Sequence, residues 1–153
     1  MKNLFLSLSI LATVFTGCSD DEENTITPVQ GELTGSITAN RTLAYGNYTL
    51  NGIVTIESGV TVTFEAGSTI TVDKTTGDNA LVVLKGGKLN INGTADKPVV
   101  FTEKSKIAGS WGGIIMYGDA PINGAGGVTT KTSEDGLNLM YGGTNATHNG
   151  GKL

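Results

Sequence analysis

Asp73-Lys74-Thr75-Thr76-Gly77-Asp78-Asn79 gathers two acids and an amide into one short stretch whose oxygens could ligate calcium. The stretch lacks the regular acid spacing of an EF-hand loop. Asp and Asn also stabilise bends by bonding their own backbone, so a turn is the plainer reading, with Asp73 and Asp78 the residues that would hold calcium. No other metal site is expected. Glycosidases set two carboxyl groups across the bond they cut, and Glu57 and Glu65 are candidates for adjoining strands, but neither Arg nor His joins them in sequence. Glu134-Asp135-Gly136 reads as a turn. His148, the only histidine, lies in the polar stretch Gly142-Gly143-Thr144-Asn145-Ala146-Thr147-His148-Asn149. A metal centre or a Cys/His pair needs partners that a chain with one His and one Cys does not supply. Trp111 and the tyrosines Tyr45, Tyr48, Tyr117 and Tyr141 would stack on sugars if exposed, although Trp111, followed by two glycines, reads as a packed residue. No catalytic set and no cofactor site emerges from these residues.

Charge narrows the partners. The formal net charge of -4 includes one acidic block, Asp20-Asp21-Glu22-Glu23, while the remaining acids are scattered among lysines. Without a basic patch to neutralise phosphates, nucleic acid is not an expected partner. Arg41 is the only arginine. Its isolation weighs against a site that grips phosphate or uronate with the guanidinium fork.

Cys18 is the one sulfur nucleophile, and with no second cysteine it cannot form an internal disulfide. It follows a positive end, Met1-Lys2-Asn3, and an apolar run, Leu4 to Phe15, too short to cross a bilayer as a mature helix. The pair reads as a secretory signal peptide. Phe15-Thr16-Gly17-Cys18 resembles the lipobox of bacterial lipoproteins, with Phe15 where Leu is commoner. That resemblance implies cleavage before Cys18 and acyl chains on it, each buried methylene contributing about 0.8 kcal/mol to membrane anchoring. Ser19-Asp20-Asp21-Glu22-Glu23 resembles the acidic signal that sends lipoproteins of the Bacteroidota to the outer face of the outer membrane. As plain chemistry the same acids would solvate a linker, and Asn24 to Glu32 reads as its continuation.

The elements that must position the remaining residues are strands. Glycine is abundant, 23 residues against 3 prolines, and Thr, Val, Ile and Asn are frequent, a composition that favours short strands joined by turns. From Leu33 onward apolar residues alternate with polar ones: Leu50, Val54 and Ile56; Val60, Val62 and Phe64; Ile70 and Val72. Further runs are Ala80 to Leu84, Lys88 to Asn92, Val99 to Thr102 and Trp111 to Tyr117. Ile56-x-x-Gly59-Val60-x-Val62-x-Phe64 is echoed by Leu84-x-x-Gly87-Lys88-Leu89-x-Ile91, offset by one residue after the glycine, and such a repeat suggests a solenoid. Spacing alone leaves a β-sandwich open, with Glu57-Ser58-Gly59 as a hairpin loop.

The segments VTIESGVTVTFEAGSTI, GTADKPVVFT, GSWGGIIMYGDAPIN and YGGTNATHNGG resemble successive pieces of the right-handed parallel β-helix surface lipoproteins of the Bacteroidota, most specifically at Gly109-Ser110-Trp111-Gly112-Gly113-Ile114. The likeness implies an all-β chain in three parts: a signal peptide at 1–17, the lipidated cysteine and acidic tether at 18–32, and a partial parallel β-helix at 33–153, its first rungs only. It further implies a lipid-anchored protein at the cell exterior, with a structural, adhesive or glycan- or protein-binding role and no catalysis of its own. The alternative is a carbohydrate-active lyase or hydrolase whose active site lies on later rungs, past Leu153.

Overall fold

The computed structural model describes residues 26–73 and 78–153. Cys18 and the acidic block at 19–23 lie outside these residues, as does the loop at 74–77. Twelve strands follow in order: β1 Val29–Ile37, β2 Arg41–Leu43, β3 Gly46–Ile56, β4 Thr61–Glu65, β5 Thr69–Asp73, β6 Ala80–Val83, β7 Lys88–Asn92, β8 Val100–Glu103, β9 Ile114–Met116, β10 Thr130–Thr132, β11 Met140–Gly142 and β12 Gly151–Lys152. A short 3-10 turn at Ala125–Gly127 is the one helical element among the described residues. β1 starts at Val29, so Val29 to Glu32, expected as tether, instead pair with Gly46 to Thr49 of β3.

β3 shows how the chain coils. Asn47 to Asn51 pair with β5 and Ile53 to Ile56 pair with β6, all parallel. Gly52, between the two halves, has φ +74°, a conformation glycine adopts without the Cβ clash other residues meet. It makes a corner between two faces. β8 continues the first face beside β5, β9 continues the second beside β6, and β2, β4, β7 and β12 form a third. Each turn of chain thus visits three faces and returns one strand spacing further along. The molecule is all-β, a parallel β-helix.

The sandwich alternative falls on strand pairing, because β3 and β4 do not pair with each other: β4 lies between β2 and β7, parallel to both. Glu57-Ser58-Gly59 is a corner. The repeat also differs from its sequence reading. Val62 pairs with Leu89, Phe64 with Ile91 and Ile56 with Val83, a constant step of 27 residues, the separation of the bonded pair Asn92 and Glu65. The glycine equivalent to Gly59 is therefore Gly86, both with positive φ, and Gly59 donates its N–H to the Gly86 carbonyl. With Gly86 and Val83 in place of Gly87 and Leu84, the one-residue offset disappears.

Inward side chains of the three faces meet in one core. Leu50, Val54, Ile56, Val62, Phe64, Ile70, Val72, Leu81 and Leu89 have no solvent exposure, and each contributes about 1.5–3 kcal/mol by burial. β6 differs from the other strands in being buried on both sides. Leu81 and Val83 enter the main core, while Ala80 and Val82 join Tyr117 in a second cluster closed by Ile53, Leu84, Ile115, Leu137, Leu139 and Tyr141. The cover comes from an excursion between β9 and β12, in which β10 and β11 form an antiparallel pair. This explains the uninterrupted apolar run Ala80 to Leu84, the pattern of a strand buried on both faces.

Candidate functional site

The corner between the first and second faces is held by a buried polar residue. Asn79, 3% exposed, accepts the Gly52 N–H on its side-chain oxygen at 2.7 Å, and its carbonyl accepts the Gly112 N–H at 2.7 Å. It ties together three successive coils at the point where the backbone bends. Next to it, the loop leaving β8 is organised by Glu103, 6% exposed, whose carboxylate accepts the Ser105 N–H at 2.8 Å and the Ser110 hydroxyl at 3.0 Å, and bonds the Ser105 hydroxyl as well. Buried carboxylates require such donors. The loop so fixed delivers Trp111, which packs against the main core with part of its surface left open.

The opposite wall comes from the excursion. Tyr117, buried just after β9, donates its hydroxyl to Asp135 and lies 3.2 Å from the Ser133 hydroxyl. Asp135 also accepts the Ser133 hydroxyl at 2.7 Å and the Leu137 N–H at 3.1 Å, so the turn between β10 and β11 is closed by its own aspartate. The phenol beside Asp135, with the Ser133 hydroxyl, holds its carboxyl below the usual carboxylate range. Burial, then the bond to Asp135, pushes the Tyr117 phenol up. Asp135 is thus an ionised acceptor at neutral pH.

Between these walls lies a cleft of about 410 Å³, within the size range of small-molecule sites. Trp111, Ile53, Ile115 and Leu137 give it apolar surface, and Asp78, Asn79, Ser110 and Asp135 give it polar groups. Among the described residues no Lys, Arg or His lines it. An apolar wall beside oxygen acceptors suits a ligand that has a flat apolar face and hydroxyl or amine hydrogens at its rim.

Of the residues singled out in the sequence, the fold brings Asp78, Asp135 and Trp111 to one place. Asp73 ends β5, the loop joining it to Asp78 lies outside the described residues, and no group of three or more His, Cys, Asp or Glu gathers among those described. Glu57 and Glu65 are parted by the length of β4: Glu57 accepts the Thr55 hydroxyl and Glu65 the Asn92 amide. The tyrosines do not build a platform with Trp111. Tyr48 is in the main core with its hydroxyl on the Ala44 carbonyl, Tyr117 and Tyr141 belong to the second cluster, and Tyr45 is exposed. His148 is half-buried in the stretch before β12. Sequence reasoning missed Asn79 as a corner residue and Glu103 altogether, and took Asp135 for a turn residue without its second role. One signal was present: Met116-Tyr117-Gly118 recurs as Met140-Tyr141-Gly142, and Gly142 donates its N–H to the Gly118 carbonyl.

A family model described as a pectate-lyase-like beta helix domain matches residues 35–153. No curated protein matches the chain, and no solved structure does. With its parallel strands coiling through three faces across the matched span, the chain belongs to the pectate-lyase-like β-helix domain family.

Proposed function

We propose that this protein is a carbohydrate-binding β-helix module carried on the outer face of the outer membrane by lipid on Cys18. The observation that supports binding is the cleft: one tryptophan, four aliphatic side chains and two acidic residues line a space of about 410 Å³. A pyranose ring has an apolar face that suits Trp111 or Leu137, and ring hydroxyls that donate to Asp78 and Asp135. Hydrogen bonds to charged acceptors contribute about 1.5–3 kcal/mol each when shielded from water, so a few contacts suffice for weak, specific capture. Lipid-anchored copies crowded on one surface then bind a polysaccharide in many places at once and gain avidity. The pectate-lyase-like family supports carbohydrate as the ligand class. The anchor rests on Gly17-Cys18 behind a short apolar run, and the outward address on Ser19, Asp20, Asp21, Glu22 and Glu23.

A second reading is favoured by the family name and by the two acids sharing one cleft: a lyase or hydrolase acting on polysaccharide. Acid catalysis asks for a carboxyl whose affinity for its proton is raised, and Asp135 is shifted the other way. Asp135 is therefore ill suited to be a hydrolase's general acid, and an assay that separates binding from cleavage tells the two readings apart. The test is to expose the purified full chain, in detergent, to an array of bacterial and plant glycans and to assay the bound ones for new chain ends. Saturable binding to a subset, weakened by Asp78→Ala and leaving the glycan intact, is expected. No binding to any glycan overturns the proposal, and new chain ends replace it with the enzyme reading.

A further inference from the structure

An asparagine followed by glycine is open to attack by its own backbone, because the glycine nitrogen has no neighbouring side chain to keep it from the asparagine amide carbon. The chain has four such steps: Asn51-Gly52, Asn92-Gly93, Asn123-Gly124 and Asn149-Gly150. Two are restrained by the helix. Asn51 lies within β3 and donates its side-chain amide to Glu32 at 3.1 Å, while Asn92 ends β7 and donates to Glu65 at 3.3 Å. Closing a ring at either requires the backbone to leave its extended, paired form, which a packed strand permits only by local opening. Asn123 and Asn149 are exposed and lie outside the strands.

Around Asn149 the structure adds two chemical aids to exposure. The Gly151 N–H donates to Asn149 Oδ1 at 2.9 Å, so a backbone donor already sits where negative charge develops when the amide carbon is attacked, as in an oxyanion hole. The His148 Nε2 lies 3.9 Å from the position a Cβ on Gly150 would take. That places an imidazole, the commonest general base, beside the residue whose nitrogen must lose its proton. The turn carrying His148 is itself fixed: Asn145 Oδ1 accepts the Thr147 N–H at 3.2 Å and the Thr147 hydroxyl at 3.0 Å, and the Asn145 carbonyl accepts the His148 N–H at 3.1 Å. Gly150 is held from the other side, its carbonyl accepting the Leu89 N–H at 2.8 Å.

We propose that Asn149 is a self-modifying site, in which the Gly150 nitrogen gives its proton to His148 and attacks Asn149 Cγ. A bond forms between that nitrogen and Cγ, the Cγ–Nδ2 bond breaks, and Nδ2 leaves as ammonia with the proton returned by the imidazole. The resulting succinimide takes up water and opens to aspartate or isoaspartate. Water is the only co-reactant, and the step is independent of any ligand in the cleft. Either product carries a new negative charge. Isoaspartate also lengthens the main chain by one carbon just before Gly151 and Lys152, the residues by which β12 pairs with Leu89 and Asn90 of β7, so the grip of β12 weakens as the molecule ages.

The experiment keeps the purified full chain at neutral pH, folded or in urea, and follows conversion at each of the four steps by peptide mass spectrometry. Folding should speed Asn149 and slow Asn51 and Asn92, so that folded Asn149 converts at least about tenfold faster than either. Asn123 reports what exposure alone produces, and Asn149 should exceed it. His148→Gln should remove most of that excess in the folded chain and change little in urea. Folded Asn149 converting no faster than in urea, or no faster than folded Asn123, overturns the site. A folded rate at Asn149 unchanged by His148→Gln overturns the proposed step by removing its base.

Discussion

Phe64 has no solvent exposure, and its ring meets those of Tyr48 and Phe101 edge-on at centroid distances of 6.4 and 5.3 Å. It stands on β4 of the third face and touches β3 and β8 of the first, so one side chain bridges the interior. Phe64→Ala should cost about 3–5 kcal/mol in a urea denaturation series, and Thr63→Ala, on the other side of the same strand, should stay within about 0.5 kcal/mol. Equal losses would contradict the inward face assigned here. Alternation in the sequence was enough to turn Val62, Phe64, Leu89 and Ile91 inward, because the pleat has period two. Ile91 packs on the core and is half-buried, while β12 pairs with β7 at Leu89 and Asn90. Asn79 and Glu103 were not legible in the same way. What makes a buried polar residue useful is its partner, and the Gly52 N–H that meets Asn79 lies 27 residues back along the chain; only stacking brings the two together.

The excursion that carries β10 and β11 is fastened to the helix by Tyr117 and Asp135, and this fastening should respond to pH at both ends of the scale. Asp135 has a lower pKa folded than unfolded, so its contribution is complete above its unfolded value and is lost as pH falls through the folded one. Tyr117 is raised, so its contribution is complete below about 10, the ordinary tyrosine value, and is lost as pH climbs through the folded value. Hydrogen exchange at Ser133 to Leu139, corrected for the intrinsic rate, should show protection across the neutral range and release at strongly acid and strongly alkaline pH. Asp135→Asn should weaken that protection at pH 7, and unchanged exchange in the variant would contradict the fastening. Most strands of the helix were readable from apolar alternation, and the repeat was found one residue out of phase before its glycine because Gly86 and Gly87 are neighbours and either fits the pattern. β10 and β11 left little trace. Each has three residues, too few for a period to show, and their place is set by the apolar outer side of β6.

At the scale of the whole molecule the parts divide by how they are recognised. The proposed amino-terminal address would be read by processing enzymes as a linear string, so the sequence would carry all of it: Cys18→Ser should leave the protein uncut and without lipid by mass spectrometry, and an unmodified mature terminus elsewhere in the wild type would contradict the proposed anchor. Alanine at Asp20 to Glu23 should keep the lipid and lose sensitivity to protease added outside intact cells. The cleft is the opposite case. Its walls come from Ile53 on one coil, Asp78 on the next, Trp111 on a third and Asp135 in the excursion, so no local motif announces it and only the coiling assembles it. That assembly also supplies its most direct test, because Trp111 is the only tryptophan in the chain and it lines this cleft. Titrating the purified full chain with a glycan it binds, while recording tryptophan emission, should give a saturable spectral shift whose midpoint matches the independently measured dissociation constant and moves to higher concentration in Asp78→Ala. Carbohydrate that binds with the emission of Trp111 unchanged, and with equal affinity for wild type and Asp78→Ala, would contradict the assignment of the site.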